Sequence, residues 1–183
     1  MFGSEKLQTT NFQADYAQRA DFCRVFEKEM DSLYKLAFLL TTNHQEAEQC
    51  FAETLNESFE QARVFKDWAQ TWVRRSLIRA AIRKVFPASL QTGDRREPWD
   101  RAQNRSAWDS EINAVTRLAP LERFVFVMSV LEGYSAWDCS LLLGVSAKKV
   151  ASAQVRALRR LPDPQMFLVG TEARQSQRLP VPA

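Results

Sequence analysis

One histidine, five glycines and three cysteines are present in the 183-residue chain, and each scarcity excludes a class of chemistry. A single histidine, His44, removes multi-histidine metal sites and leaves a histidine-based triad one candidate base. Five glycines are too few for the usual phosphate-cradling loops, and neither GxGxxG nor a GxxxxGK motif occurs. Cys23, Cys50 and Cys139 lie far apart, are odd in number and form no CxxC pair. The N-terminal stretch MFGSEKLQTTNFQADY lacks the basic start and apolar run of a secretory signal. Together these features read as reduced thiols in a cytoplasm. No run of about 18 uncharged apolar residues exists, which argues against a membrane-spanning helix. His44 and Cys50 would fall on different faces of one helix, so no catalytic constellation, metal site or cofactor is expected, and the chain reads as a non-enzyme. Net charge is only +3. The total says little about partners; its distribution says much more.

Along the chain, residues 1–18 are polar and aperiodic, a candidate flexible arm. From Asp21 the apolar residues Phe22, Val25, Phe26, Leu33, Leu36, Ala37 and Leu40 recur at three- and four-residue steps, the signature of an amphipathic helix. Thr42 or Asn43 can cap a second helix, with Ala47, Phe51, Thr54, Leu55, Ser58 and Ala62 on one side. A third helix is predicted from about Asp67 to Val85, where Pro87 stops it. Residues 87–107 hold two prolines, one glycine and many charges without periodicity, which reads as a flexible linker. Helical pattern returns at Ala107–Leu118, and Pro120 suits the first turn of the next helix, which Gly133 ends. Ser135 caps a short helix, Gly144 ends it, and Ser146 caps a last helix to about Leu161. Residues 162–183, with four prolines, read as a flexible tail. The expected fold is all-α: two small helical bundles, residues 19–86 and 108–161, joined by the linker, the second bundle containing a helix-turn-helix.

The charges are segregated. At 100° per residue from Glu46, the residues Glu53, Glu57 and Glu60 fall within about 40° of it. No lysine or arginine lies between positions 46 and 62, so the second helix carries an acidic stripe. It reads either as a solvated face or as a docking strip for a basic protein surface. The third helix is the opposite: seven bases against one acid between positions 63 and 84. Measured from Trp68, the residues Trp72, Arg75, Arg79 and Arg83 lie within about 60°. Indoles beside guanidiniums suit unstacked nucleic acid, because bases stack on rings while arginines track phosphates; packing of at least one tryptophan inside the bundle is the alternative. On the last helix, Val150, Gln154, Ala157, Leu158 and Leu161 share one side. Lys149, Ser152, Ala153, Arg156 and Arg160 share the other, flanked by Lys148 and Arg159. Residues 146–160 contain five bases and no acid. A short helix, a tight turn and a capped basic helix make the plan whose second helix enters the major groove.

The stretch LAPLERFVFVMSVLEGYSAWDCSLLLGVSAKKVASAQVRALRRL resembles region 4 of the extracytoplasmic-function sigma factors of bacterial RNA polymerase. Leu118, Pro120 and Arg123, then Gly133-Tyr134-Ser135, Leu143-Gly144-Val145-Ser146, Val150 and Arg156-Ala157 before Leu161 carry the likeness. LYKLAFLLTTNHQEAEQCFAETLNESF and the following WVRRSLIRAAIRK are similar to region 2. The resemblance implies a promoter-specificity factor without catalysis of its own, which binds core RNA polymerase and double-stranded promoter DNA. An anti-sigma factor is a further partner that it allows. It gives Glu53 and its stripe (Glu46, Glu57, Glu60) the polymerase-docking role, and gives Trp72, Arg75, Arg79 and Arg83 promoter recognition and melting. The upstream element falls to Lys148, Lys149, Ser152, Ala153 and Arg156, with Arg159 and Arg160 beside them. The linker would thread along the polymerase between the two.

Several positions depart from the family pattern. Gln49 stands where an aspartate is usual, Arg79 and Arg83 stand for an asparagine and an aspartate, and Ala151 and Ala153 replace mid-helix bases. A divergent sigma factor fits these changes. So does a sigma-like regulator whose N-terminal bundle binds a protein partner and does not support initiation.

Overall fold

The computed structural model describes residues 16–60, 63–86 and 110–161; the linker 87–107 and the tail 162–183 lie outside them. Seven α-helices form among the described residues: α1 Arg19–Thr41, α2 His44–Glu60, α3 Ala69–Val85, α4 Ser110–Thr116, α5 Pro120–Phe126, α6 Ala136–Leu143 and α7 Ala147–Arg160. A 3-10 turn, Lys66–Trp68, leads into α3, and α5 runs on through a π-turn at Val127–Leu131. The all-α expectation holds.

Local chemistry sets the ends. Asp21 accepts from the Gln18 backbone N–H at 2.9 Å, closing the first turn of α1. Of the two candidate caps for α2 it is Asn43 that acts, its Oδ1 accepting from the backbone of Gln45 and Glu46 at 2.8 and 3.3 Å. α1, α2 and α3 pack mutually around Phe22, Leu33, Leu40, Val73, Leu77 and Ile78, all essentially without solvent exposure. The inner face of α2 is Ala47, Cys50, Thr54 and Ser58. These small residues let the neighbouring helices approach, and the Thr54 and Ser58 hydroxyls are satisfied by the carbonyls of Cys50 and Thr54 at 2.7 Å each. The arm is anchored where it enters α1. Ala17 donates to the Val64 carbonyl at 2.8 Å, and Tyr16 stacks on Phe65 with ring centroids 4.9 Å apart. That pairing removes residues 16–18 from the flexible arm the sequence suggests.

In the second bundle α5 is buried on all sides, from Glu122 through Met128. It packs on α7 on one side and on α1 on the other, which explains why the run RFVFVMSVL has no clean periodicity. The two bundles therefore share an interface, where the sequence suggests a tether alone. Three side-chain contacts contribute to it. Arg123, 2% exposed, donates Nε and Nη2 to the Leu40 carbonyl at 3.2 and 3.0 Å. It thereby caps one of the carbonyls left open at the end of α1, where the helix dipole is negative. Burial pushes the Arg123 guanidinium down to about 10, with Glu46 acting in the opposite sense. Phe86 meets Phe124 edge-on at 5.1 Å. Arg74 of α3 reaches Glu132 beyond α5 at 2.6 Å.

Candidate nucleic-acid interface

The helix-turn-helix is built as its residue types dictate. Ser135 Oγ accepts from the Asp138 backbone at 3.1 Å, while Asp138 accepts from the Ser135 backbone at 3.3 Å, a closed capping box on α6. Gly144 ends α6 at φ +63°, a conformation that suits glycine. Ser146 Oγ then caps α7 by accepting from the Lys149 N–H at 3.3 Å. Val150, Ala153 and Ala157 turn inward. Lys148, Lys149, Ser152, Arg156, Arg159 and Arg160 are exposed, so one face of α7 offers bases to solvent. Ala153, placed by its helical angle on the outer face, is buried and fills the seat between α7 and the helices beneath it. It is not part of the surface. Arg156 and Arg160 are exposed but not isolated: Glu122 of α5 pairs with both, at 2.8 and 2.6 Å.

The first bundle gives a different picture of the predicted ridge. Trp72 is half-buried and packs edge-on against Phe22 with centroids 5.7 Å apart. The indole that stands out is Trp68, 59% exposed. It meets Phe65 at 5.5 Å, and Phe65 in turn stacks on Tyr16. This exposed aromatic row precedes α3, beside the exposed bases Arg63 and Lys66. Phe65 and Tyr16 escape a periodicity argument because neither sits in a helix. The only sequence signal is an aromatic flanked by bases, RVFKDW.

The acidic stripe and the basic ridge face each other. Glu53 pairs with Lys84 at 2.7 Å and Arg83 at 3.7 Å, and Glu57 lies 3.9 Å from Arg79. Gln49, at the position where an aspartate was expected, accepts from Lys84 at 3.1 Å. Glu46 is half-buried and Glu60 exposed. Helical angles place the glutamates together but do not say what α2 packs against, and α3 lies alongside it. Arg75 and Arg83 stay exposed, whereas Arg79 is half-buried and hydrogen-bonds Ser76 Oγ at 3.0 Å. All of these charges retain solvent contact, so their pairing is weak and open to exchange with a partner.

Among the described residues no group of histidine, cysteine or carboxylate side chains could hold a metal, and no helix is long and apolar enough to cross a membrane. His44 stacks on Phe38 at 4.5 Å, and its Nδ1 lies 2.9 Å from the Tyr34 hydroxyl. Burial pushes the Cys50 and Cys139 thiols up to about 11, which leaves them poor nucleophiles at neutral pH.

A capped helix-turn-helix with a basic, solvent-facing second helix defines a DNA-binding module. A family model described as "Sigma-70, region 4" matches residues 111–161, and that segment belongs to the region 4 family, as the resemblance implies. Residues 111–161 thus form a segment like the DNA-binding region 4 of sigma factors. No curated protein matches the chain. Among solved structures it is similar to the sigma factor RpoE from Bartonella quintana, determined in complex with the anti-sigma factor NepR. The identity is 23%, with 86% of this chain and 99% of that one covered, at a TM-score of 0.44.

Proposed function

We propose that the chain is an extracytoplasmic-function sigma factor, a cytoplasmic promoter-specificity subunit that binds core RNA polymerase and directs initiation by reading two promoter elements. The observation that carries this reading is the region 4 match over the capped helix-turn-helix, whose α7 presents Lys148, Lys149, Arg156 and Arg159 to solvent. The exposed Trp68–Phe65–Tyr16 row beside Arg63 and Lys66 supports a second nucleic-acid surface suited to unstacked bases. An anti-sigma factor is a further partner class in this reading. The test is transcription in vitro from genomic fragments with purified core polymerase. Transcripts with defined start sites that require this chain are the expected result, and their absence despite fragment binding refutes the initiation function.

One observation favours a second reading, in which the first bundle docks a different protein and the chain regulates without initiating. Glu53 and Glu57, the proposed polymerase contacts, already pair with Lys84, Arg83 and Arg79. Glu53→Gln and Glu57→Gln separate the two. These exposed pairs are each worth about 0–1 kcal/mol, so the fold should survive. Loss of polymerase co-purification supports the sigma reading; its retention favours the second.

A further inference from the structure

Glu122 is buried in the first turn of α5, with 5% of its side chain exposed, where an unpaired carboxylate would be strongly disfavoured. Its two oxygens are divided between two residues of α7. Oε1 accepts from Arg156 Nε at 2.8 Å, and Oε2 accepts from Arg160 Nη1 at 2.6 Å. The arginines themselves remain 50% and 57% exposed. A single fixed carboxylate thus holds, from below, two guanidiniums one helical turn apart.

The atom by which Arg156 is held decides what it can do. Only Nε is engaged, and Nη1 and Nη2 have no partner among the described residues. The guanidinium is planar, so fixing Nε fixes the direction of the remaining two-donor edge. That edge matches O6 and N7 of guanine in the major groove, and it also matches a phosphate. Charge separates the two. A carboxylate on the same guanidinium offsets much of its attraction for a phosphate anion, but it leaves the fork geometry that a neutral base edge requires. Among the described residues Lys148, Lys149 and Arg159 have no such acid partner, and they are the better phosphate contacts. Arg156 also shares a helical stripe with Lys149 and Ser152, spaced at i, i+3 and i+7, along the face that would enter the groove.

We infer that Glu122 is a positioning residue that locks Arg156 to read a guanine in the major groove, an inference that rests on the DNA-reading function proposed above. Its test starts with selection of duplexes from a random-sequence library by the full-length chain. Affinities for the selected and a scrambled duplex are then compared for wild type, Glu122→Gln, Arg156→Ala and Arg156→Lys over a range of salt. Arg156→Ala should lower the selected-to-scrambled ratio by roughly 5- to 150-fold, and Arg156→Lys, lacking the fork, should not restore it. Glu122→Gln should lower the ratio in the same direction while binding the scrambled duplex as well as or better than wild type, because a negative charge is lost. Combining it with Arg156→Ala should add no further loss. Replacing the critical guanine by 7-deazaguanine should weaken wild type, weaken Glu122→Gln less and leave Arg156→Ala unaffected.

Equal loss on both duplexes, with a shallower salt dependence, would make Arg156 a phosphate contact and overturn the inference. So would an unchanged ratio in Glu122→Gln accompanied only by a lower melting temperature. Should that variant not fold, Glu122→Asp, which keeps the charge and withdraws the oxygens by one methylene, should likewise lower the ratio, with binding to the scrambled duplex unchanged. A wild type that selects no sequence at all fails the DNA-reading function itself, a result distinct from either of these.

Discussion

Arg74 of α3 and Glu132 beyond α5 are joined by two hydrogen bonds, Nε to Oε2 at 2.7 Å and Nη2 to Oε1 at 2.6 Å. The remaining Nη1 reaches Glu29 at 2.9 Å and Ser32 at 2.8 Å on α1. One guanidinium from the first bundle thus meets a carboxylate from each bundle. The side chains of Arg74, Glu132 and Glu29 are 12%, 7% and 17% exposed. Burial alone would lower the Arg74 pKa, but the hydrogen bonds and charges of Glu132 and Glu29 outweigh it and hold the pKa above its usual value.

Arg74→Ala would leave two part-buried carboxylates facing each other without their shared cation. Breaking a buried pair from one side costs about 3–5 kcal/mol. Part of that cost is avoided here if the bundles separate and the carboxylates regain water. The expected outcome is a lower melting temperature together with a larger radius of gyration by small-angle X-ray scattering. Glu132→Gln, which keeps the shape and one acceptor, should give a smaller expansion. An Arg74→Ala chain with unchanged radius and unchanged melting temperature would mean that Arg123 and the Phe86–Phe124 contact hold the bundles together unaided.

The two tryptophans ahead of and within α3 should behave oppositely. Trp72 is wedged against Phe22, so Trp72→Ala removes buried aromatic area and should destabilise the first bundle by roughly 2–4 kcal/mol, discounted from a fully buried site. Trp68 is mostly in water, so Trp68→Ala should leave the melting temperature within a degree or two. It should weaken binding to single-stranded DNA, by about 1–3 kcal/mol if a base stacks there. Thermal unfolding and fluorescence anisotropy on a labelled oligonucleotide check both halves. Equal affinity of the Trp68→Ala chain and wild type for single strands removes the aromatic row from the nucleic-acid surface.

How much of this was legible beforehand depended on whether a property belongs to one helix or to a pair of helices. Asn43, Ser135, Gly144 and Ser146 act within their own turns, so the sequence places the helix ends closely. The outer face of α7 follows from angles alone, apart from Ala153, whose angle lies near the boundary and whose small side chain fits a close contact. What could not be read is pairwise. The stripe of Glu53 and Glu57 is correct as an arrangement on α2, yet its meeting with Arg79, Arg83 and Lys84 depends on the packing of α3. Arg123 was legible as a feature of the family likeness, not as the cap on Leu40 of another bundle. Glu122 carried no signal, since an isolated glutamate in a first helical turn is ordinary.

The thiols supply a pH test. Cys50 and Cys139 are buried and their thiols are pushed up to about 11 from a model-compound value of 9.0, while Cys23 is exposed. For such groups the native state binds its proton more tightly than the unfolded state does. Their contribution to stability is therefore complete below about pH 9 and lost as pH rises towards 11. Urea unfolding should show a decline from about pH 9, and Cys50→Ala with Cys139→Ala should make it shallower between pH 9 and 10, below the range in which Arg123 and Tyr134 titrate. At pH 8, Ellman's reagent should modify one thiol rapidly in the native chain and all three in urea. Rapid native modification of three thiols would contradict this burial.

Thr42 is the one described non-glycine residue with positive φ, at 60°, and its backbone N–H closes the end of α1 onto Phe38 at 2.7 Å. A β-branched side chain in that region costs roughly 1–2 kcal/mol. The Thr42 hydroxyl is also buried without a hydrogen-bond partner, a desolvation cost of about 1–3 kcal/mol. Thr42→Gly removes both penalties and gives back roughly 0.5–1 kcal/mol through the greater freedom of the unfolded chain. The balance is stabilising, by about 1 kcal/mol or more, read as a higher urea midpoint at unchanged slope. Thr42→Val isolates the hydroxyl, because it keeps the branch and the backbone strain. It should gain less than the glycine variant. If valine exceeds glycine by about 0.5–1 kcal/mol, the entropy that glycine alone gives back, the left-handed turn stores no strain at this position and the orphaned hydroxyl accounts for the gain.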